Sequence, residues 1–245
     1  MPSFFDTISD IYDVTRALPK DTMAEITEVM EDEFGDCRRI LEVGVGTGRF
    51  AHPLVKRGCR VVGADISRAM LRKAQDKGIS HLVCGDACAL PFRDASFGGL
   101  ISVHVMHLIE DCNSVLSEMK RVGTGILISL LMKTSEFHAK EEYRKALSKQ
   151  DYTLTFSGMG EHGLKDMVRP KRTLAIAPFF EVMSYRERLG LLEQRKHSYT
   201  IDTPQNAHAG AIQFLSDRFS AKLDSHPKSE VEVVVWDIDD IPGPL

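Results

Sequence analysis

Short apolar runs alternate with amphipathic stretches as far as Met132. RRILEVGV, RVVGADI, HLVCGD, GGLISVHV and GILISLLM are rich in Val, Ile and Leu, as strands buried on both faces of a parallel sheet are. Between them the period lengthens to that of a helix. ISRAMLRKAQDKG offers Ser67 as N-cap, Met70, Leu71 and Ala74 as an inner face, and Gly78 as a stop. DCNSVLSEMKRVG offers Val115, Leu116 and Met119 on one side and Gly123 at its end. GRFAHPLVKRG carries Pro53, which a helix interior rejects, so a helix is expected to start there at Arg49 or Phe50. The alternation predicts an α/β sandwich with helices on both faces of a mostly parallel sheet.

Beyond Met132 the pattern changes. Residues 133–185 read as helical material rich in charge and aromatic rings, FHAKEEYRKALSKQDY and MVRPKRTLAIAPFF included. A stretch of that length is long for a connection and suggests a lid-like insertion. LLEQRKHSYTI then reads as a strand, NAHAGAIQFLSDRFSAKL as a helix, and EVEVVVWDI as a last, alternating strand, antiparallel to the rest. Seven strands are thus expected in one domain spanning 1–245, with residues 1–34 as N-terminal covering helices and the tail DIDDIPGPL frayed.

Composition adds limits. With 43% apolar and 27% charged residues the chain is an ordinary globular one, and a net charge of −4 gives no general attraction to nucleic acid. The first twenty residues lack the basic and apolar regions of a signal peptide, and no run reaches the roughly 18–20 apolar residues of a membrane span. Five cysteines (37, 59, 84, 88 and 112) are odd in number, so free thiols in a reducing compartment, the cytoplasm, are expected. Cys84 and Cys88 are spaced C-x-x-x-C with no second pair at zinc spacing, and read as small buried hydrophobes rather than metal ligands.

The chemistry is concentrated in ILEVGVGTGRF. Three glycines, Gly44, Gly46 and Gly48, follow Glu42 at every second position, between a strand and a helix, where an open α/β sheet binds its ligand. A dinucleotide fingerprint would place its third glycine at residue 49, which is arginine. Asp65, ending VVGADIS, suits ribose hydroxyls of either a nucleoside or a nicotinamide dinucleotide. Asp86 in CGDACALPF suits an exocyclic amine, with Ala87 and Leu90 beside it.

These residues resemble the class I S-adenosylmethionine-dependent methyltransferases, in particular the small-molecule group that includes quinone-biosynthesis enzymes. The matches are LEVGVGTG, Asp65, Asp86 in GDACALPFRDASF, ISVHVMHLIED as fourth strand and loop, and Tyr12 to Arg16 (YDVTR) as a Y-D-x-x-R covering element. The resemblance implies a Rossmann-like three-layer sandwich with S-adenosyl-L-methionine as cofactor. It implies that the glycines and Glu42 hold the methionine half, that Asp65 takes the ribose, and that Ile66 and Met70 flank the adenine. Asp86 and Ala87 would read the adenine edge, and Ser102 and Val103 lie under the sulfonium. Tyr12 and Arg16 would close over the top and bind the methionine carboxylate or order the lid. One departure from the family is Gly98–Gly99 after Phe97, where an aspartate is usual.

Methyl transfer needs chiefly alignment, which can supply on the order of 7–11 kcal/mol, so a base is optional. His107, with His104, follows the fourth strand and is the candidate; His138, His162, His197 and His208 read as solvated. The fourth strand lacks the [D/N]-P-P-[Y/F] pattern and the chain lacks a Pro-Cys or Thr-Cys dipeptide, which disfavours base methylation. KDMVRPKRT, with Lys165, Arg169, Lys171 and Arg172, reads as a solvated basic face, with an anionic partner as the alternative. Phe137, Tyr143, Tyr152, Phe156, Phe179 and Phe180 supply either core or an apolar pocket wall. The acceptor is expected to be a small molecule. The other readings are a non-catalytic S-adenosylmethionine-binding partner or regulatory protein, and a nicotinamide-dependent oxidoreductase.

Overall fold

The computed structural model describes residues 4–36, 39–154 and 159–243. Three helices come first, α1 (Phe4–Ile8), α2 (Tyr12–Thr15) and α3 (Lys20–Phe34). Strands and helices then alternate through β1 (Ile40–Val43), α4 (Ala51–Lys56), β2 (Val61–Asp65), α5 (Arg68–Asp76), β3 (Leu82–Cys84), β4 (Phe97–Ser102), α6 (Cys112–Val122) and β5 (Gly123–Ser135). The remainder is α7 (Ala139–Ser148), α8 (Glu161–Met167), β6 (Arg172–Ala175), β7 (Phe179–Phe180), α9 (Tyr185–Glu193), α10 (Gln205–Arg218) and β8 (Lys228–Asp237).

The strands form one sheet in the order β3-β2-β1-β4-β5-β8-β6, with β7 also paired to β8. β1 to β5 pair in parallel, and β8 is antiparallel to each of its neighbours β5, β6 and β7. Side chains alternate across the sheet as the strand period requires. Ile40, Ile101 and Ile128 pack with Ile26 and Met30 of α3 and Leu54 of α4. Their neighbours Leu41, Leu100 and Leu127 pack on the opposite face with Val115, Leu116 and Met119 of α6 and with Trp236. A third apolar cluster joins α7, α9 and α10 through Tyr143, Leu189 and Leu215, and there Tyr143 Oη shares a 2.5 Å hydrogen bond with buried His208.

Several expectations need correction. Among the described residues the sheet has eight strands, not seven. LLEQRKHSYTI is no strand: its start completes α9, which a Ser184–Glu187 capping box initiates, and its end forms a short 3-10 turn over Ser198–Thr200. MVRPKRTLAIAPFF is not helical after Met167, because Pro170 and Pro178 bracket the short strand β6, and β7 follows at Phe179. α4 begins at Ala51, one residue beyond the expected start. The tail is packed as far as Ile241, with Ile238 and Ile241 buried and Lys120 Nζ donating to the carbonyls of Asp239 and Ile241. Cys84, Cys88 and Cys112 are free thiols, and Cys84 is exposed and Cys88 half-buried rather than buried as expected. Cys37 and Phe156 lie outside the described residues. No helix among the described residues is long and apolar enough to cross a membrane.

The β4–β5 register shifts between Phe97 and Gly99, and a Cβ on Gly125 would lie 2.0 Å from the Gly98 carbonyl oxygen. Two backbones meet where no side chain fits. Gly190, inside α9, has nothing within 4 Å of its Cβ position. Gly125→Ala is therefore expected to destabilise by about 1–3 kcal/mol through overpacking, and Gly190→Ala to stabilise by about 0.5–1 kcal/mol through helix propensity. Urea unfolding checks both signs; a neutral Gly125→Ala would contradict the close approach.

Candidate active site

The site grows from the carboxyl ends of the central strands. β1 lies between β2 and β4, so the chain leaves it to one side and returns on the other. Ligands bind in open α/β sheets at such a switch point. In register across that edge stand Val43 beside Ser102, and Asp65 beside Cys84.

The glycine loop leaves β1 here. Gly44, Gly46 and Gly48 all have positive φ, at 69°, 54° and 77°, which side chains rarely tolerate. Their surroundings differ. A Cβ on Gly44 would meet Val105 at 2.3 Å, and one on Gly48 would meet Ile79 at 2.2 Å. Those two let the loop pack against its neighbours. Gly46 has only its own loop and the Tyr12 ring, each at 4.0 Å, so it presents bare backbone toward α2.

Asp65 fixes this loop. Its carboxylate accepts 2.8 Å hydrogen bonds from the Gly46 N–H and the Ser67 N–H. Burial raises its pKa against those bonds, and the nearby Asp6 charge pushes the same way. Glu42 is 3% exposed and its Oε2 has no hydrogen-bond partner. Burial pushes this carboxyl up to about 8, the Ala51 backbone bond and the Arg49 charge opposing. A buried acid with one unpartnered oxygen, at the strand end that opens the glycine loop, fits an ammonium-bearing ligand.

Helices α1 and α2 lie against this edge through three acids. Asp6 accepts from Ser67 Oγ at 2.6 Å, Asp10 pairs with Lys73 at 2.6 Å, and Asp13 bridges Thr47 Oγ1 (2.5 Å) and Lys77 (2.6 Å). Arg49, in place of a third dinucleotide glycine, donates to the Arg16 carbonyl at 2.6 Å and stacks on Phe50.

The expected adenine-side residues divide. Ile66 is 63% exposed at the lip and Asp86 is exposed, with one oxygen accepting from the Cys88 N–H, while Ala87 is half-buried. Met70 is buried on the inner face of α5 and offers no surface to a ring. Ser102 is fully buried with an unpartnered Oγ, and Val103 is buried beside it.

A cavity of about 310 Å³ opens on the other side of α2. Tyr12, Arg16, His104 and His107 reach it, and Leu130, Phe137, Phe179 and Val231 supply apolar wall. Of the aromatic candidates Phe137 and Phe179 thus wall the pocket, Tyr143 and Tyr152 belong to the third cluster, and Phe180 is 65% exposed. His104 has φ 60°, an uncommon conformation outside glycine, at the carboxyl end of β4.

Sequence reasoning did not bring Arg188, Tyr199, Glu161 or Glu181 to this cavity. They lie far along the chain, without a motif. His138, His162 and His197 also line it. His197 and His208 are each 4% exposed, so the solvated reading is corrected for both. Three cations of KDMVRPKRT are paired, Lys165 with Glu232, Lys171 with Asp237 and Arg172 with Glu33.

Comparison with known proteins agrees with this geometry. Residues 41–128 match the methyltransferase domain family. The chain is 29% identical over 130 residues to a demethylmenaquinone methyltransferase of Thermobifida fusca, covering 49% of this chain and 55% of that one. It is 30% identical over 124 residues to a malonyl-[acyl-carrier protein] O-methyltransferase of Halorhodospira halophila, covering 48% and 42%. The chain thus spans about half the length of these relatives. In fold it resembles a Thermotoga maritima S-adenosylmethionine-dependent methyltransferase described as a possible histamine N-methyltransferase, with TM-score 0.56, 18% identity and coverage of 96% and 98%. With its glycine loop, its stapling aspartate and this sheet order, the chain matches the methyltransferase domain family over residues 41–128 and shares the fold of an S-adenosylmethionine-dependent methyltransferase.

Proposed function

We propose that the protein transfers a methyl group from S-adenosylmethionine to a small-molecule acceptor by in-line displacement. The observation that carries this reading is the junction of two sites. Tyr12 covers the glycine loop and also lines the cavity, and His104 and His107 enter that cavity just after β4. When bound, the cofactor supplies a methyl group on a positively charged sulfur, so its leaving group needs no further activation. Glu42, Gly44, Gly46 and Gly48 would hold the methionine half and Asp65 the ribose. Ile66, Asp86 and Ala87 would frame the adenine, with Met70 packed beneath them. Ser102 and Val103 would floor the reacting end. Tyr12 and Arg16, with the rest of residues 1–34 and with the 133–185 segment, would exclude water.

His107 is the candidate base. Burial, then the Lys140 and Arg16 charges, pushes its imidazole down to about 4. Glu161 Oε2, 4.0 Å from His107 Nδ1, is too distant to reverse this. The ring is neutral at pH 7 and able to accept a proton from a hydroxyl nucleophile. His104 is held well below the usual range by the same burial.

Three outcomes are expected. Methyl-labelled S-adenosylmethionine, incubated with the protein and a fractionated small-molecule extract, should label a low-mass product and release S-adenosylhomocysteine. No turnover in a chain that binds the cofactor would favour the non-catalytic reading. Asp65→Ala should weaken S-adenosylhomocysteine binding at least tenfold, about 1.4 kcal/mol, with the circular dichroism spectrum retained; an unchanged dissociation constant would remove the ribose assignment. The His107 ring protons should titrate by NMR with a midpoint near 4, not near the ordinary value of about 6.5. Because the folded pKa is lowered, His107 contributes stability above about pH 6.5 that is lost as pH falls toward its folded value. His107→Gln should shrink that loss, and an unshifted midpoint would place the ring in solvent.

A further inference from the structure

The donors and acceptors at one end of the cavity do not balance. Arg188, Arg16, His197 and Tyr199 all line it. Arg16 lies 3.4 Å from His197 Nδ1, and among the described residues it has no carboxylate partner. With Nδ1 accepting from Arg16, the His197 proton sits on Nε2. The His197 ring stacks on Tyr199 at 5.1 Å between centroids and 22° between planes.

The nearest acid is already in use. Glu181 Oε1 accepts from Ser229 Oγ at 2.5 Å and Ser135 Oγ at 3.2 Å, while Oε2 pairs with Arg188. Arg188 Nε is buried and has no hydrogen-bond partner among the described residues. Two guanidiniums, an imidazole N–H and a phenol O–H thus converge with one carboxylate between them.

Electrostatics points the same way. Burial, then the charges of Arg16 and Arg188, pushes His197 down to about 3. Burial with the Arg16 charge lowers Arg188 to about 10. Burial holds the Tyr199 hydroxyl protonated, well above its usual range. Like charges held together in a partly desolvated recess repel, and a bound anion relieves that repulsion.

We propose that this end of the cavity is an anion subsite, where Arg188 and Arg16, with His197 and Tyr199, receive a carboxylate or phosphate group carried by the methyl acceptor. The proposal rests on the methyl-transfer reading for the word acceptor, but the subsite itself does not. The acceptor class that follows is an apolar body bearing one oxyanion, with its nucleophile directed toward His104 and His107. Arg188 supplies the planar fork that suits carboxylate or phosphate. Arg16 stands between this recess and the covering helix, so it serves both.

The test uses the full chain saturated with S-adenosylhomocysteine and titrated with inorganic phosphate, then acetate, at constant ionic strength. The readouts are the 15N-resolved Arg188 Nε–H and the His197 ring signals. A saturable shift is expected, with half-saturation on the order of 1 mM, since each probe is only a fragment of the ligand. The stronger of the two probes identifies the group. Arg188→Gln should abolish the response while S-adenosylhomocysteine binding persists. Because that variant leaves Glu181 buried without its partner, Tyr199→Phe is the second variant, and it should weaken the response several-fold. No saturation in a chain that binds S-adenosylhomocysteine, or an equal response to chloride, would overturn the subsite. Saturation by phosphate in a chain that fails to bind S-adenosylhomocysteine would keep the subsite and discard methyl transfer.

Discussion

The Asp65 carboxylate holds two loops at once. One oxygen takes the Gly46 N–H from the loop after β1, and the other takes the Ser67 N–H at the start of α5. This bond fixes the middle of the glycine loop, where a Cβ on Gly46 would meet nothing closer than 4.0 Å. The arrangement extends outward from there. Ser67 caps α5 through the Met70 N–H and donates to Asp6, so the N-terminal helices are anchored to the same point. Asp13 then secures Thr47 and Lys77, and Tyr12 is placed over Gly46. A cofactor loop, its stapling acid and its cover form one hydrogen-bonded unit.

The first half of the chain was legible because its physics is local. Strands β1, β2 and β4 are largely buried on both faces, and their Val, Ile and Leu runs say so. Ser67 and Gly78 bounded α5 as their chemistry requires. The second half was less legible. β6 pairs over only four residues with its side chains largely exposed, so it has no period to read. α9 carried a readable signal in Ser184-Tyr-Arg-Glu187, a capping box, that the apolar pair Leu191–Leu192 obscured. The site divides the same way. Glu42, the glycines and Asp65 lie within one strand–loop–strand unit and share its spacing. Arg188 and His197 reach the cavity only through the packing of α9 and the turns after it, which no spacing records. Met70 was read from the family pattern as a cofactor contact, yet its helical position puts it inside.

Burial also sets the chemistry of the cavity. It keeps His104, His107 and His197 neutral, turning three potential cations into hydrogen-bonding rings. The positive charge that remains comes from Arg16, Arg49, Arg188 and Lys140. On the proposed reading, proton transfer and anion recognition fall to different side chains in one space. Glu42 is the counterpart on the cofactor side: a buried acid, partly neutralised by desolvation, that a cationic ligand would ionise.

The central claim is that the loop held by Asp65 binds the methionine and nucleoside of one cofactor. Calorimetric titration of the full chain with S-adenosylhomocysteine, beside a titration with NADH, tests it most directly. The account requires a dissociation constant of about 1 μM or tighter for S-adenosylhomocysteine and no heat of binding for NADH. A folded chain that binds NADH, or neither ligand, would contradict it.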